Sequence, residues 1–393
     1  MLTGVGTLAE RAAAALEQRN SLCERFFAAE AERLALACRD MSDRFLRGGR
    51  LLAFGRGPYA TDAQHVAVEF VHPVIVGKRA LPALDVSALF QPWLGAILRS
   101  EDVAMGFGPP AGDVEVDSAL HAAAMRGAMT FALPGRTGGY SFEPVTDDPF
   151  QHQEIVEMLY HTLWETVHVF FERQELGRDA GEAAFLYPFL GREKQETASV
   201  AKEVAASIRM KAEVDARLRE QVANQQAEAI AAAVLAIRER LNRGGKLILF
   251  GNGGSATDAN DWALDCVLQP ERCRPIPAIS LSWEPANITA LANDIGTEVI
   301  FLRQLMAHAR PEDIAVGIST SGGSRNIILA LEEARKRHLL TIGLLGYDGG
   351  EIVRRGLADH ALVVRCDYIP RIQEVQASIY HIITGLLAER ADD

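Results

Sequence analysis

Part of this chain is written twice, and that restricts its fold more than any other feature. Residues 44–63 read RFLRGGRLLAFGRGPYATDA and residues 240–259 read RLNRGGKLILFGNGGSATDA, with twelve of twenty positions identical at an offset of 196. The match resumes at PALDVS (82–87) against PAISLS (277–282). It continues at SEDVAMGF (100–107) against PEDIAVGI (311–318), and closes at HQEIVEMLYH (152–161) against IQEVQASIYH (372–381). The last two blocks stand at offsets of 211 and 220, so the second copy carries extra residues, mainly between 283 and 310. Chance likeness does not keep four blocks in order, so an ancestral unit has been duplicated.

Each copy has the same grammar. A long helical stretch leads to a short apolar run (Leu51–Phe54; Leu247–Phe250), a glycine-bearing turn and another helix. Further apolar runs recur at Ile314–Ile318, Leu340–Leu345 and Ala361–Val364. Strands alternating with helices predict parallel sheets of βαβ units, an α/β protein. A length of 393 residues exceeds what one core usually organises. The expected division is a first domain at 1–174, a linker at 175–197 rich in glycine and charge, and a second domain at 198–393.

Composition narrows the class of partner. A formal charge of −12 repels phosphate backbones and argues against nucleic acid. No run approaches the ~18 apolar residues of a membrane span. The N-terminus lacks a basic region and reads as an amphipathic helix, not a signal peptide. Cys23, Cys38, Cys266, Cys273 and Cys366 are odd in number and show no CxxC spacing, which fits reduced thiols in the cytoplasm.

Two loops of the second copy suit an anion. GNGGSATDAN (251–260) follows an apolar strand and opens a helix, where glycines let amides approach a ligand and the helix start adds positive potential. ISTSGGSRN (318–326) places the hydroxyls of Ser319, Thr320, Ser321 and Ser324 around two glycines, a nest for a phosphate monoester. A plain N-cap needs only one hydroxyl. Neither loop has the Walker spacing, and there is no GxGxxG with a distal acid, so nucleotides are disfavoured.

With GNGGSATDA, TALANDIGTE (289–298), ISTSGGS, GYDGG (346–350) and RIQEVQASIYH (371–381), residues 230–385 resemble the sugar isomerase (SIS) domain family, its phosphoheptose isomerase branch in particular. The resemblance implies two tandem SIS domains, each a flavodoxin-like three-layer sandwich with a five-stranded parallel sheet. It implies a phosphorylated sugar as ligand and phosphate or substrate contacts from Asn252, Gly253, Ser255, Ser319, Thr320, Ser321, Ser324 and Gln373. It also implies a divalent metal of the zinc type, held by a His and a Glu four apart followed by a Gln and a His eight apart. The first copy has that set as His65, Glu69, Gln153 and His161. Spacing i, i+4 puts His65 and Glu69 on one helix face, and imidazole, carboxylate and amide oxygen suit Zn²⁺ or a similar ion.

The copies have lost opposite parts. Asp261 and Asp265 stand where the family has His and Glu, although Gln373 and His381 remain. In the first copy GRGPYATDA puts Tyr59 at the serine position, and FGPPAGD (107–113) removes every hydroxyl and adds Asp113. One copy therefore keeps a metal and acid–base set and the other a phosphate cradle, which leads to the expectation of a composite site between the halves. Eight residues of helix rise ~12 Å, so either Gln153 precedes the helix of His161 or the two serve different sites. For aldose–ketose isomerisation, Glu69 with His161 and Asp265 with His381 are the two candidate acid–base sets, with Asp294 orienting hydroxyls or shuttling a proton. The activity implied is conversion of sedoheptulose 7-phosphate to a heptose 7-phosphate. The competing reading is an inactive phosphosugar-binding regulator or assembly protein. A homo-oligomer is expected, a dimer of tandem chains imitating a tetramer.

Overall fold

The computed structural model describes residues 4–73, 78–135, 139–176, 197–269 and 274–389. The linker expected at 175–197 lies almost wholly outside them. In chain order the elements are α1 (Val5–Leu46), β1 (Leu51–Gly55), α2 (Tyr59–Val71), β2 (Ala83–Asp85), α3 (Phe90–Ile97), β3 (Val103–Phe107), α4 (Val114–Met125), β4 (Met129–Leu133), β5 (Tyr140–Ser141) and α5 (Pro149–Leu176). Then follow α6 (Thr197–Asn242), β6 (Leu247–Phe250), α7 (Gly254–Val267), β7 (Ala278–Ser280), α8 (Pro285–Asp294), α9 (Ile300–His308), β8 (Ile314–Ser319), α10 (Arg325–Lys336), β9 (Leu340–Gly346), α11 (Gly350–Arg354), β10 (His360–Val364) and α12 (Ile369–Ala388).

The ten strands form two five-stranded sheets, ordered β2-β1-β3-β4-β5 and β7-β6-β8-β9-β10, with every pairing parallel. Both orders are the flavodoxin-like 2-1-3-4-5, whose ligand crevice lies at the carboxyl ends of the first and third strands. Alternation of side chains builds the layers. In β1, Leu51 and Ala53 join one core cluster while Leu52 and Phe54 join another on the opposite face. In β6, Leu247 and Leu249 divide from Ile248 and Phe250 in the same way. Strands buried on both faces read as continuous apolar runs, which is why the sequence marked them so clearly.

The chain separates into two compact units, one of Asn20–Val214 and the other of Met1–Arg19 with Asp215–Asp393. The start of α1 belongs with the second repeat: Leu8, Ala12 and Leu16 are buried in the core of Ile230, Val234 and Trp262. The later part of α1, from Leu22 to Phe45, packs in the first repeat's core together with Val204 and Ile208 of α6.

The duplication extends to the staples of each sheet. Asp102 accepts from the backbone N of Arg50 at 2.9 Å and pairs with its guanidinium at 2.7 Å. Asp313 accepts from the backbone N of Lys246 at 3.0 Å and pairs with its ammonium at 2.6 Å. Both carboxylates are buried. A Cβ at Gly55 would sit 2.2 Å from the Tyr59 carbonyl, and one at Gly251 would sit 2.1 Å from the Ser255 carbonyl. Both glycines are required because the chain turns back on itself there. Among the described residues Cys23, Cys38, Cys266 and Cys366 are free thiols, and no helix is long and apolar enough to cross a membrane.

Candidate active site

The two glycine loops of the second unit follow β6 and β8, the neighbouring strands at which the sheet order reverses. The first turns through Gly253, whose φ of +57° favours glycine, straight into α7. Ser282 holds its base, donating to the Gly251 carbonyl at 3.0 Å and accepting from the Gly251 N at 3.2 Å. Ser255, in the first turn of α7, is buried. In the second loop Ser319 Oγ lies 3.3 Å from Ser324 Oγ and accepts from Gly322 N at 3.1 Å. Ser321 Oγ accepts from Gly323 N at 3.2 Å. Gly322 has φ +61°, and a Cβ there would lie 2.1 Å from the Gly349 carbonyl of the GYDGG turn. Ser324 is the N-cap of α10 but makes no side-chain cap bond. Asn326 Oδ1 takes the Ile327 amide and the Gly253 carbonyl takes that of Ala256, which leaves the amides of Gly254 and Ser255 in α7 and of Arg325 and Asn326 in α10 for a ligand, with the helix-start potential behind them.

Farther along α7, Asp261 and Asp265 face His381 of α12. His381 Nε2 is 3.2 Å from Asp265 Oδ2 and 3.5 Å from Asp261 Oδ2. Tyr380 OH donates to Asp261 Oδ2 at 2.8 Å, and its ring stacks on Trp262 at 5.4 Å. All three titratable groups are buried and stand close enough to hold one cation. Helix α12 is pinned to α6 by Arg371, which donates to Asp215 at 2.7 Å and to Glu374 at 2.5 Å. Gln373 and His381 are buried on that same helix. Asp294 stands apart: it is exposed at the end of α8 and accepts from its neighbour Asn293 at 2.7 Å. No hydrogen bond or ion pair among the described residues joins it to Asp265 or His381.

The first unit gathers its own set. His65 and Glu69 lie on α2 and His161 on α5; the two Nε2 atoms are 3.4 Å apart and His65 Nε2 is 3.8 Å from Glu69 Oε1. Their candidate ligand atoms lie within 4.8 Å of one another. Glu69 is buried, its Oε2 has no hydrogen-bond partner, and burial, with Glu165 adding repulsion, pushes its carboxyl up to about 8. Glu165 is itself ion-paired with buried Lys211. A buried carboxyl held neutral for want of a counter-charge, beside two imidazole nitrogens, fits a divalent cation. Gln153 lies inside α5 with His161, so it does not precede that helix; its Nε2 donates to Asp62 Oδ2 at 3.1 Å.

At the first unit's loops the chemistry is reversed. Asp113 caps α4, accepting from the backbone N of Glu115 at 2.9 Å and of Val116 at 3.1 Å. Arg56 pairs with Asp113 at 3.3 Å and with Glu115 at 2.9 Å. Tyr59 is buried at the position of Ser255. In place of α8 and α9 the first unit has one turn of 3₁₀-helix, Ser87–Leu89, and α3. Sequence reasoning counted hydroxyls and missed Asn326, Ser282 and Arg56. The repeated serine closing PALDVS and PAISLS was the signal for Ser282, since Ser87 makes the same bond to Gly55 N at 3.1 Å.

Fold and loops together define a class, an α/β protein of two SIS-like units. A family model described as SIS domain matches residues 212–346. The phosphoheptose isomerase of Nitratiruptor sp. is 47% identical over 153 residues, 38% of this chain and 80% of that protein. That of Geotalea uraniireducens is 44% identical over 185 residues, 46% of this chain and 96% of that protein. Among solved structures, tagatose-6-phosphate ketose/aldose isomerase from Escherichia coli superposes over 97% of this chain and 94% of its own, with a TM-score of 0.57 at 12% identity. The C-terminal domain of glucosamine-fructose-6-phosphate aminotransferase from Francisella tularensis does so over 95% and 94%, with a TM-score of 0.61 at 9% identity. At such identities the likeness is one of fold, and it spans both units. The chain belongs to the phosphoheptose isomerase family of SIS-domain proteins.

Proposed function

We propose that this protein is a sugar-phosphate aldose–ketose isomerase of the sedoheptulose 7-phosphate to heptose 7-phosphate type. One observation carries the reading: in the second unit, two helix starts whose N-cap side chains make no cap bond follow glycine- and serine-bearing loops, and one of those helices, α7, also carries Asp265 of the buried Asp265–His381 pair. Phosphate binds Asn252, Gly253, Ser255, Ser319, Thr320, Ser321 and Ser324. From Ser255 to Asp265 the helix rises ~15 Å. The ligand is therefore extended, with its phosphate at the end opposite the reacting carbonyl. Asp265 and His381 move the proton between C1 and C2 and serve the oxygens, Gln373 holds a substrate hydroxyl, and Asp294 orients hydroxyls from the rim.

In the first unit His65, Glu69 and His161 hold Zn²⁺ or a similar divalent ion, while Gln153, two turns away on α5 and bonded to Asp62, serves a different place. Such an ion, when bound, polarises a carbonyl and its enediolate. Glu69 and His161 are then the second candidate acid–base set. The protein acts in the cytoplasm as a homo-oligomer, a state that light scattering reads directly.

The decisive experiment incubates the full chain with sedoheptulose 7-phosphate and follows aldose formation, with bound metal measured by mass spectrometry. Turnover supports the isomerase. A second reading, a phosphosugar-binding regulator or assembly protein, draws on the carboxylate cap of α4 and on Asp261 at the family's histidine position. Thermal stabilisation by the sugar phosphate without any turnover selects it. If the halves divide the work, His65→Ala abolishes turnover; an unaffected rate assigns the chemistry to Asp265 and His381 alone.

A further inference from the structure

The two loops of the second unit are tied together across their tips. Asn252 Nδ2 donates to Asn326 Oδ1 at 2.9 Å, and Asn326 Nδ2 donates back to Asn252 Oδ1 at 2.9 Å. Asn326 Oδ1 also accepts from Ile327 N at 2.9 Å, which fixes Asn326 to the first turn of α10. The pair is reciprocal and stands at the solvent face of the crevice.

The first unit has a tie at the same two positions. Arg56 corresponds to Asn252 at the offset of 196, and Glu115 to Asn326 at the offset of 211. The register is confirmed by packing: a Cβ at Gly106 would strike Val116 and Leu120, and one at Gly317 would strike Ile327 and Leu331, again 211 apart. Arg56 Nη1 and Glu115 Oε1 are 2.9 Å apart. Both residue types differ between the copies, yet the link between the loops persists. What is retained is a link between the two loops and not one side chain.

We propose that Asn326 is a positioning residue of the anion site: its amide clasp with Asn252 sets the gap between the GNGG and STSGGS loops, so that amides from both reach one phosphate. This rests on the phosphate-binding role given to those loops above. The chemistry of the clasp matters as well as its length. An amide pair closes the span without placing a carboxylate beside a bound anion, whereas the Arg56 link brings Asp113 and Glu115 to the same place. The clasp is therefore of neutral type where an anion is to be received, and of ionic type where the helix start is already filled.

The test is a double-mutant cycle on the full chain, read by calorimetric titration with inorganic phosphate and repeated with sedoheptulose 7-phosphate. Asn326→Ala is expected to raise Kd about tenfold, the loss of one hydrogen-bonded link. Asn252→Ala/Asn326→Ala is expected to cost no more than the worse single variant, because both remove one clasp. Thermal midpoints are recorded alongside, since a merely structural staple lowers the midpoint and leaves Kd in place. Wild-type binding with an unchanged Kd in Asn326→Ala, or losses that multiply in the double variant, overturns the clasp alone. No binding of either probe by the wild type overturns the clasp and the reading of the loops together.

Discussion

At the start of α4, Asp113 takes up two backbone amides and Arg56 closes over it. At the matching place in the second unit, Ser324 turns toward Ser319 and makes no cap bond, so the amides of Arg325 and Asn326 are left open while Asn326 Oδ1 takes that of Ile327. The same geometry can thus satisfy itself or wait for a ligand, and one residue decides which. A carboxylate at an N-cap stabilises its own helix and fills the place an outside anion would take. A serine engaged elsewhere forgoes that stabilisation and keeps the site open. The metal-type clusters differ in a parallel way. The first has two imidazoles and an unpartnered carboxyl oxygen, whereas in the second each carboxylate stands within 3.5 Å of His381.

The largest way to break this comparison is at the acid–base groups. Asp265→Asn is expected to lower turnover of sedoheptulose 7-phosphate by roughly 100-fold or more, the range for a lost general base. A retained rate places the chemistry outside the second unit's cluster. Next come the scaffold staples, which ought to be equal. Asp102→Ala and Asp313→Ala each remove a buried carboxylate from a paired cation and two backbone amides, and each is expected to cost ~3 kcal/mol in denaturant unfolding. Unequal losses would show that the units no longer share a scaffold in energy as they do in shape.

The loops offer a smaller contrast. Ser319→Ala is expected to weaken binding of inorganic phosphate about fivefold by removing a hydroxyl that organises the nest. Asp113→Ala in the first unit is expected to leave that affinity in place and to lower stability by ~1 kcal/mol through the lost cap. Equal effects of the two on phosphate binding would dissolve the distinction drawn between the halves.

The smallest effect concerns pH in metal-free protein. Glu69 is raised from 4.5 to about 8, by burial first and Glu165 second. The folded state keeps a proton that the unfolded chain releases above pH 4.5, so this group's stabilising share is full below that value. It declines as pH rises to about 8. Glu69→Gln is expected to remove that decline, seen as a flatter thermal midpoint between pH 5 and 8. Zn²⁺ added at pH 8 is expected to raise the wild-type midpoint and not that of the variant. A wild type that gains stability with pH across this window contradicts the burial argument.

Much of the architecture was legible in the residues themselves. Strands buried on both faces appear as unbroken apolar runs, and β1, β6, β8 and β9 fall within two residues of where those runs lie. The glycine loops and the i, i+4 pair His65–Glu69 are local patterns, and local patterns survive in sequence because neighbouring residues must cooperate to form one turn. What the chain's order could not decide is which distant side chains meet. His161 reaches His65 across 96 residues, Tyr380 reaches Asp261 across 119, and Asn252 meets Asn326 across 74. Nor could an amphipathic stripe say against what it packs, so the placing of Leu8, Ala12 and Leu16 in the second repeat's core came only with the fold. Apolar periodicity demands that a face be covered and is indifferent to what covers it; the choice among covers belongs to three-dimensional packing.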